Sequence, residues 1–107
     1  MVVEILYWDG CPSYPQTLAD VQAALAELGL DPELARLHEV ATDAAAETEA
    51  FVGSPTIRVD GRDLFPPGDD PVGLTCRIYR RRDGRVSPTP DPDDLRDALR
   101  EALAVHR

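Results

Sequence analysis

The residues best suited to chemistry in this sequence are its two cysteines, Cys11 and Cys76. Cys11 follows a short apolar run, residues 2–8, and precedes a helical pattern, so we expect it at a strand-to-helix junction. The free N–H groups and the dipole at a helix start favour an anion and lower the pKa of a cysteine thiol to roughly 3.5–7.5. Because the thiolate attacks disulfides and binds soft metals, Cys11 is predicted to be a nucleophile; a small buried apolar residue is the alternative.

Cys76 is a candidate partner for Cys11, but the two lie 65 positions apart, so only the fold can bring them together. A resolving pair requires Cα atoms within about 7 Å of each other, and a core residue of a strand is the equally weighted alternative. Tyr14, three positions after Cys11, is able to donate a hydrogen bond toward the sulfur or a ligand, or simply to cover the start of the helix.

Several other kinds of site are excluded by composition. The chain contains no lysine, which removes Schiff-base chemistry, and the two histidines, His38 and His106, lack the spacing of a zinc motif, so no metal site is predicted. The formal net charge of −9 argues against nucleic-acid binding. One basic cluster is interpreted as a solvated hairpin; its members are Arg77, Arg80, Arg81, Arg82 and Arg85.

The length of 107 residues fits a single domain, residues 1–107. No apolar run is long enough to cross a membrane, and no basic segment precedes Glu4 as in a signal peptide, so we expect a cytoplasmic protein. Thiols are kept reduced in that compartment, and the two cysteines are therefore expected to be thiols rather than a structural disulfide. The sequence leaves the oligomeric state open.

Hydrophobic periodicity and turn residues predict alternating strands and helices. Strands are predicted at residues 2–8, 33–40, 56–59 and 62–65, and helices follow Cys11, occupy residues 44–51 after a cap at Thr42-Asp43, and follow Asp91. Gly29 is placed to end the first helix, and Asp60-Gly61 to form a hairpin turn. This order predicts an α/β fold with a mixed sheet, a strand–helix–strand unit followed by a hairpin and a helix, and helices on both faces.

An extra hairpin is predicted near residues 74–87. Alternating residues of the 74–81 segment are apolar, so its apolar face is expected to carry Leu74, Cys76 and Ile78, and Asp83-Gly84 to turn the chain back toward Val86. The buried face of the last helix is expected to consist of Leu95, Ala98, Leu99, Ala102, Leu103 and His106.

Two motifs, W-D-G-C-P-S-Y at residues 8–14 and G-S-P-T at residues 53–56, together with their positions among these elements, resemble the thioredoxin-like superfamily. The resemblance implies a thioredoxin-like fold, a reactive cysteine at Cys11, and a cis peptide bond before Pro55 that faces it. Ser54 and Pro55 would then form the wall of the substrate site, and Trp8 and Tyr14 would lie beside it, although packing is the alternative for Trp8.

Two subgroups add further expectations. The residues 68–70 are similar to the Gly- and Asp-rich loop that lies near the reactive cysteine in glutaredoxin-like relatives. The chain also resembles small bacterial thioredoxin-like proteins with a single motif cysteine, some of which carry alkylmercury-lyase names. In that case Asp9 would serve as an acid beside the two thiols.

Taken together, the sequence predicts a thiol-dependent redox protein that uses no cofactor. Cys11 would exchange disulfides with a protein or small-molecule thiol through a mixed disulfide, which either Cys76 or glutathione or another small thiol would resolve. The motif lacks a second cysteine, so any enzymatic activity would be of the monothiol oxidoreductase type. The alternative is a non-catalytic thioredoxin-like binding module or a soft-metal thiol site.

Overall fold

The computed structural model describes residues 2–66 and 68–105. Strands and helices alternate through its first half, as the sequence predicts, and a small ribbon precedes the last helix. In chain order the elements are β1 (Val3–Tyr7), α1 (Tyr14–Glu27), β2 (Ala35–Glu39), α2 (Asp43–Glu49), β3 (Thr56–Val59), β4 (Arg62–Asp63), β5 (Tyr79–Arg80), β6 (Val86–Ser87) and α3 (Pro92–Val105).

Four strands form one mixed sheet in the order β2-β1-β3-β4. The central strand β1 pairs in parallel with β2 and antiparallel with β3, and β3 pairs antiparallel with β4. Strands β5 and β6 form a separate antiparallel ribbon. The α/β class and the mixed sheet are therefore confirmed.

The sheet has an apolar core on each face, because successive side chains of β1 point to opposite sides. Val3 and Ile5 pack with α1 and α3, in a cluster that also contains Leu25 and Leu99. Leu6 packs on the other face with side chains that precede, form and follow α2, namely Val40, Ala46 and Phe51. Both faces of the sheet are thus covered by helices.

The local signals for turns and caps are confirmed. Gly29 follows α1 with a φ of 79°, and the Thr42 side chain accepts a hydrogen bond from the N–H of Ala45 at the start of α2. Asp60 and Gly61 both have positive φ, as the tight turn between β3 and β4 requires. These residues fix where the strands and helices of the sheet begin and end.

The strand predicted at residues 74–81 is wrong in extent and in orientation. Only Tyr79 and Arg80 of this segment are paired with β6, and of the residues predicted to face inward only Leu74 packs against the core. Cys76 and Ile78 are exposed, whereas Arg77 and Tyr79 are buried. The polar face turns inward because the sheet supplies partners for it, as described below.

Smaller differences concern the ends of elements. The predicted strands at residues 33–40 and 62–65 shorten to β2 and β4, and α2 ends before Phe51. Leu95 and Leu99 of α3 are fully buried as expected, and Ala102 packs against the same core. His106 lies outside the described residues. Among the helices that the structure describes, none is long and apolar enough to span a membrane.

Candidate functional site

The structure joins Cys11 and Cys76 in a disulfide. Their Cα atoms lie 5.6 Å apart, which satisfies the distance that a resolving pair requires. The expectation that both cysteines are free thiols is therefore wrong for this state of the protein. The alternative that made Cys76 a core residue is also wrong, because Cys76 is exposed.

Cys11 is almost completely buried, with 1% of its surface exposed. Its Sγ lies 3.5 Å from the Ser13 hydroxyl and 3.5 Å from the carbonyl oxygen of Ser54. The helix α1 begins at Tyr14, so Cys11 precedes its first turn rather than occupying it. The surroundings of the buried sulfur therefore include polar atoms from the loop and from the turn before β3.

Cys76 is held opposite Cys11 by a parallel β-bridge to Ser54. The N–H of Ser54 donates to the carbonyl of Thr75 over 2.8 Å, and the N–H of Arg77 donates to the carbonyl of Ser54 over 2.8 Å. Both backbone groups of Ser54 thus form hydrogen bonds with the segment of residues 75–79, which we call the tethered segment. The result is a disulfide with one buried and one exposed cysteine.

Residues 54 and 55 lie buried beside the disulfide. Both are buried, and the peptide bond between Ser54 and Pro55 is cis, as the resemblance implies. The Tyr79 hydroxyl donates a hydrogen bond to the carbonyl oxygen of Pro55. The Ser54 hydroxyl is also buried, and it has no hydrogen-bond partner among the residues that the structure describes.

Arg77 is the residue of the site that the sequence analysis missed, because it was assigned to a solvated hairpin. Only 6% of it is exposed. Its guanidinium forms an ion pair of 2.7 Å with Asp63, binds the carbonyl of Phe65, and lies 3.4 Å from the Thr56 hydroxyl. No local sequence signal indicates these contacts, because all three partners lie 12 or more positions earlier.

Tyr79 completes the inner side of the tethered segment. Its ring lies 4.8 Å from the Arg77 guanidinium carbon and packs edge-on against Phe65. Burial raises the pKa of the Tyr79 hydroxyl, and Asp63 adds to this effect while Arg77 opposes it. The hydroxyl is therefore held in its protonated, hydrogen-bond-donating form.

Gly53 allows the tethered segment to approach the sheet closely. A Cβ atom at this position would lie 3.0 Å from both the backbone nitrogen and the Cβ of Arg77. The φ of Gly53 is 141°, a conformation that residues with a side chain rarely adopt. Both observations explain why a glycine stands one residue before Ser54.

Tyr14 and Trp8 make contacts away from the disulfide. Tyr14 stacks on Tyr7 with ring centroids 4.1 Å apart, and its hydroxyl donates to Asp9 over 3.2 Å rather than to Cys11. This hydrogen bond is the main reason that the pKa of Tyr14 is raised. Trp8 is half-buried and packs against the core cluster beside α2. A role of either side chain in binding a substrate stays a prediction.

The loop at residues 68–70 lies near the exposed cysteine. Asp70 and Cys76 line the same cavity, which has a volume of about 280 Å³ and also touches Val52, Pro71 and Ile78. Residues 68–70 are themselves exposed.

The site was also compared with metal-binding arrangements and with known proteins. In residues 2–66 and 68–105, no group of three or more His, Cys, Asp and Glu side chains is placed to hold a metal ion. The soft-metal alternative, which needs only two thiols, stays a prediction. No protein-family model, curated protein or solved structure matches the chain.

Proposed function

We propose that the chain is a thioredoxin-like domain that carries out thiol–disulfide exchange through Cys11 and Cys76. The observation that carries this proposal is the asymmetry of the disulfide, which has one exposed and one buried cysteine. Exchange needs one sulfur that an external thiolate can reach and another that can leave. The order of strands and helices and the position of residues 54 and 55 beside Cys11 support the thioredoxin-like assignment.

The exchange begins with a thiolate from a protein or a small molecule. It forms a bond with the sulfur of Cys76, the bond between Cys76 and Cys11 breaks, and Cys11 leaves as a thiolate. A second thiolate then attacks the added sulfur, and Cys76 leaves as a thiolate. Both cysteines are now reduced, each takes up a proton from water, and the two external thiols are joined by a disulfide.

The reverse sequence oxidises the protein. The Cys76 thiolate attacks an external disulfide and releases one external thiolate. The Cys11 thiolate then attacks the sulfur of Cys76 in the mixed disulfide, which re-forms the bond between the two cysteines and releases the second external thiolate. The burial of Cys11 favours this division of roles over the sequence-based expectation that Cys11 reacts first. Ser13 supports the role of Cys11 as the leaving sulfur, because its hydroxyl is close enough to donate a hydrogen bond to the thiolate.

The test compares glutathione exchange in two variants that each keep one cysteine. We expect wild type to be alkylated at two positions only after reduction, and Cys11→Ser to form one adduct with oxidised glutathione at Cys76. In Cys76→Ser the remaining thiol is buried, so we expect its adduct to form about tenfold more slowly. Mass spectrometry counts the alkylated positions in wild type and follows the two adduct rates over a time course.

The two variants are matched because each removes the disulfide and leaves one thiol. If reduced glutathione does not open the disulfide of the wild-type protein, the proposed exchange is contradicted. If Cys76→Ser reacts as fast as Cys11→Ser, or faster, then Cys76 is not the sulfur that external thiols attack.

A further inference from the structure

We infer that Arg77 is a positioning residue which, together with Asp63, keeps Cys76 beside Cys11 while the bond between the two sulfurs is open. The inference rests on the proposed function, because it concerns the dithiol that exchange creates. It adds a role for an ion pair that takes no part in the chemistry of the sulfurs.

The first step of the argument is that Arg77 is anchored independently of the disulfide. Its guanidinium contacts Asp63, the carbonyl of Phe65 and the hydroxyl of Thr56, and none of these groups belongs to the segment that carries Cys76. Arg77 and Asp63 are 6% and 14% exposed in their side chains. Separating a buried ion pair leaves two poorly solvated charges, so breaking the disulfide alone gives the pair no reason to open.

The second step is that this anchor lies next to Cys76 in the chain. Consecutive Cα atoms are about 3.8 Å apart, so a fixed Arg77 strongly limits where Cys76 can move. The N–H of Arg77 also donates to the carbonyl of Ser54, and that same carbonyl oxygen lies 3.5 Å from the sulfur of Cys11. The carbonyl oxygen of Ser54 therefore contacts both the tethered segment and the buried Cys11.

Tyr79 adds a second point of attachment on the same inner side. Its hydroxyl binds the carbonyl of Pro55, and its ring lies against the Arg77 guanidinium. The tethered segment is thus bound at residues 75, 77 and 79, on both sides of the exposed Cys76.

The consequence is a high effective concentration of Cys76 at Cys11. Ring closure is faster and more favourable when the two groups are already held together, because less conformational entropy is lost in the step. Ring opening starts with attack by an external thiolate on the exposed Cys76, and it does not require Arg77 to move. Arg77 should therefore favour the disulfide mainly by accelerating its closure.

The experiment measures both directions of exchange with glutathione in Arg77→Met. We expect the equilibrium constant for disulfide formation to fall about tenfold, equivalent to about 30 mV. We expect most of this change in the closure rate and less than about a threefold change in the opening rate, because the oxidised segment is still held by the disulfide. Arg77→Lys keeps the charge and should recover part of the closure rate.

Arg58→Met is the matched control. Arg58 also forms an ion pair, with Glu49 at 3.1 Å, and binds the backbone carbonyl of Glu49, but it contacts neither the tethered segment nor a cysteine. We expect its closure rate to stay within about twofold of wild type. An equal fall in both variants, or no fall in Arg77→Met, overturns the inference.

If Arg77→Met does not fold, Asp63→Asn takes its place, since it removes the carboxylate from the same contact and retains the side-chain volume. A closure rate equal to that of wild type in Asp63→Asn then overturns the inference. Failure of the proposed function gives a different result, because wild type itself would not exchange with glutathione.

Discussion

The sheet face that packs against α1 and α3 and the tethered segment are stabilised in different ways. On the side of α1 and α3, the sheet is covered by many apolar side chains with little or no exposed surface, including Leu25, Leu95 and Leu99. The tethered segment, by contrast, is held by the disulfide, by a two-bond β-bridge, and by the polar side chains of Arg77 and Tyr79.

The difference separates stability of the fold from control of the site. Apolar packing is distributed over many contacts and does not respond to thiols or to mild changes of pH. A few specific bonds hold the tethered segment, and one of them opens on reduction. Each region can therefore be perturbed while the other is monitored.

The largest effect is expected from Cys76→Ser, which removes the covalent bond of the tethered segment. The disulfide closes a loop with a sequence separation of 65, and the chain-entropy model assigns about 4 kcal/mol to a loop of that length. Unfolding of the oxidised wild type and of the variant in urea measures the difference. Cys76 is exposed, so the serine itself should add little.

Reduced wild type serves as the control and should unfold close to the Cys76→Ser variant. A variant as stable as the oxidised wild type would show that the bond adds no stability to the fold.

Leu99→Ala is expected to cost about 3 kcal/mol, because it empties a fully buried position between α3 and the sheet. The equilibrium of the disulfide with glutathione should stay as in wild type, because Leu99 packs in the apolar cluster and not against the tethered segment. Urea unfolding and glutathione titration measure the two quantities.

Leu37→Ala, at a half-exposed position, provides the comparison, and its free energy of unfolding should fall by less than about 1 kcal/mol. A tenfold shift of the glutathione equilibrium in Leu99→Ala would show that the two regions are coupled after all.

The smallest effect is expected from Tyr79→Phe, at about 1 kcal/mol near neutral pH, because one hydrogen bond to the Pro55 carbonyl is lost. The raised pKa of Tyr79 means that the folded protein holds this proton more tightly than the unfolded chain does. Its contribution to stability is therefore complete below the unfolded pKa of 10.0 and decreases as the pH rises above that value.

Urea unfolding between about pH 8 and pH 11 should show a shallower alkaline loss of stability in Tyr79→Phe than in wild type. Tyr14→Phe controls for the loss of a tyrosine hydroxyl near neutral pH, because its hydroxyl binds the exposed Asp9 and contacts no part of the tethered segment. Identical alkaline slopes for wild type and Tyr79→Phe would contradict the raised pKa of this hydroxyl.

Much of the fold could be predicted because its signals are local. The apolar run that forms β1, the glycine after α1, the Thr42 cap and the Asp60-Gly61 turn each depend on neighbouring residues. Sequence could also state the geometric condition for pairing Cys11 with Cys76, and the Cα distance meets it.

The tethered segment could not be predicted for the opposite reason. Its alternating pattern places Cys76 and Ile78 on the apolar side, but Arg77 and Tyr79 are the residues that face inward. Their burial depends on Asp63 and on the carbonyl of Pro55, which are distant in sequence and lie beside them only in the folded structure. Long-range charge and hydrogen-bond partners outweigh the local hydrophobic pattern here.

The close approach at Gly53 limits how this chain can vary. Here, one added methyl group would have to displace the backbone of Arg77, and Cys76 would move with it. The spacing of the two sulfurs is therefore governed partly by a position that carries no side-chain carbon. A substitution there would shift Cys76 relative to Cys11 without touching either cysteine or removing a charge.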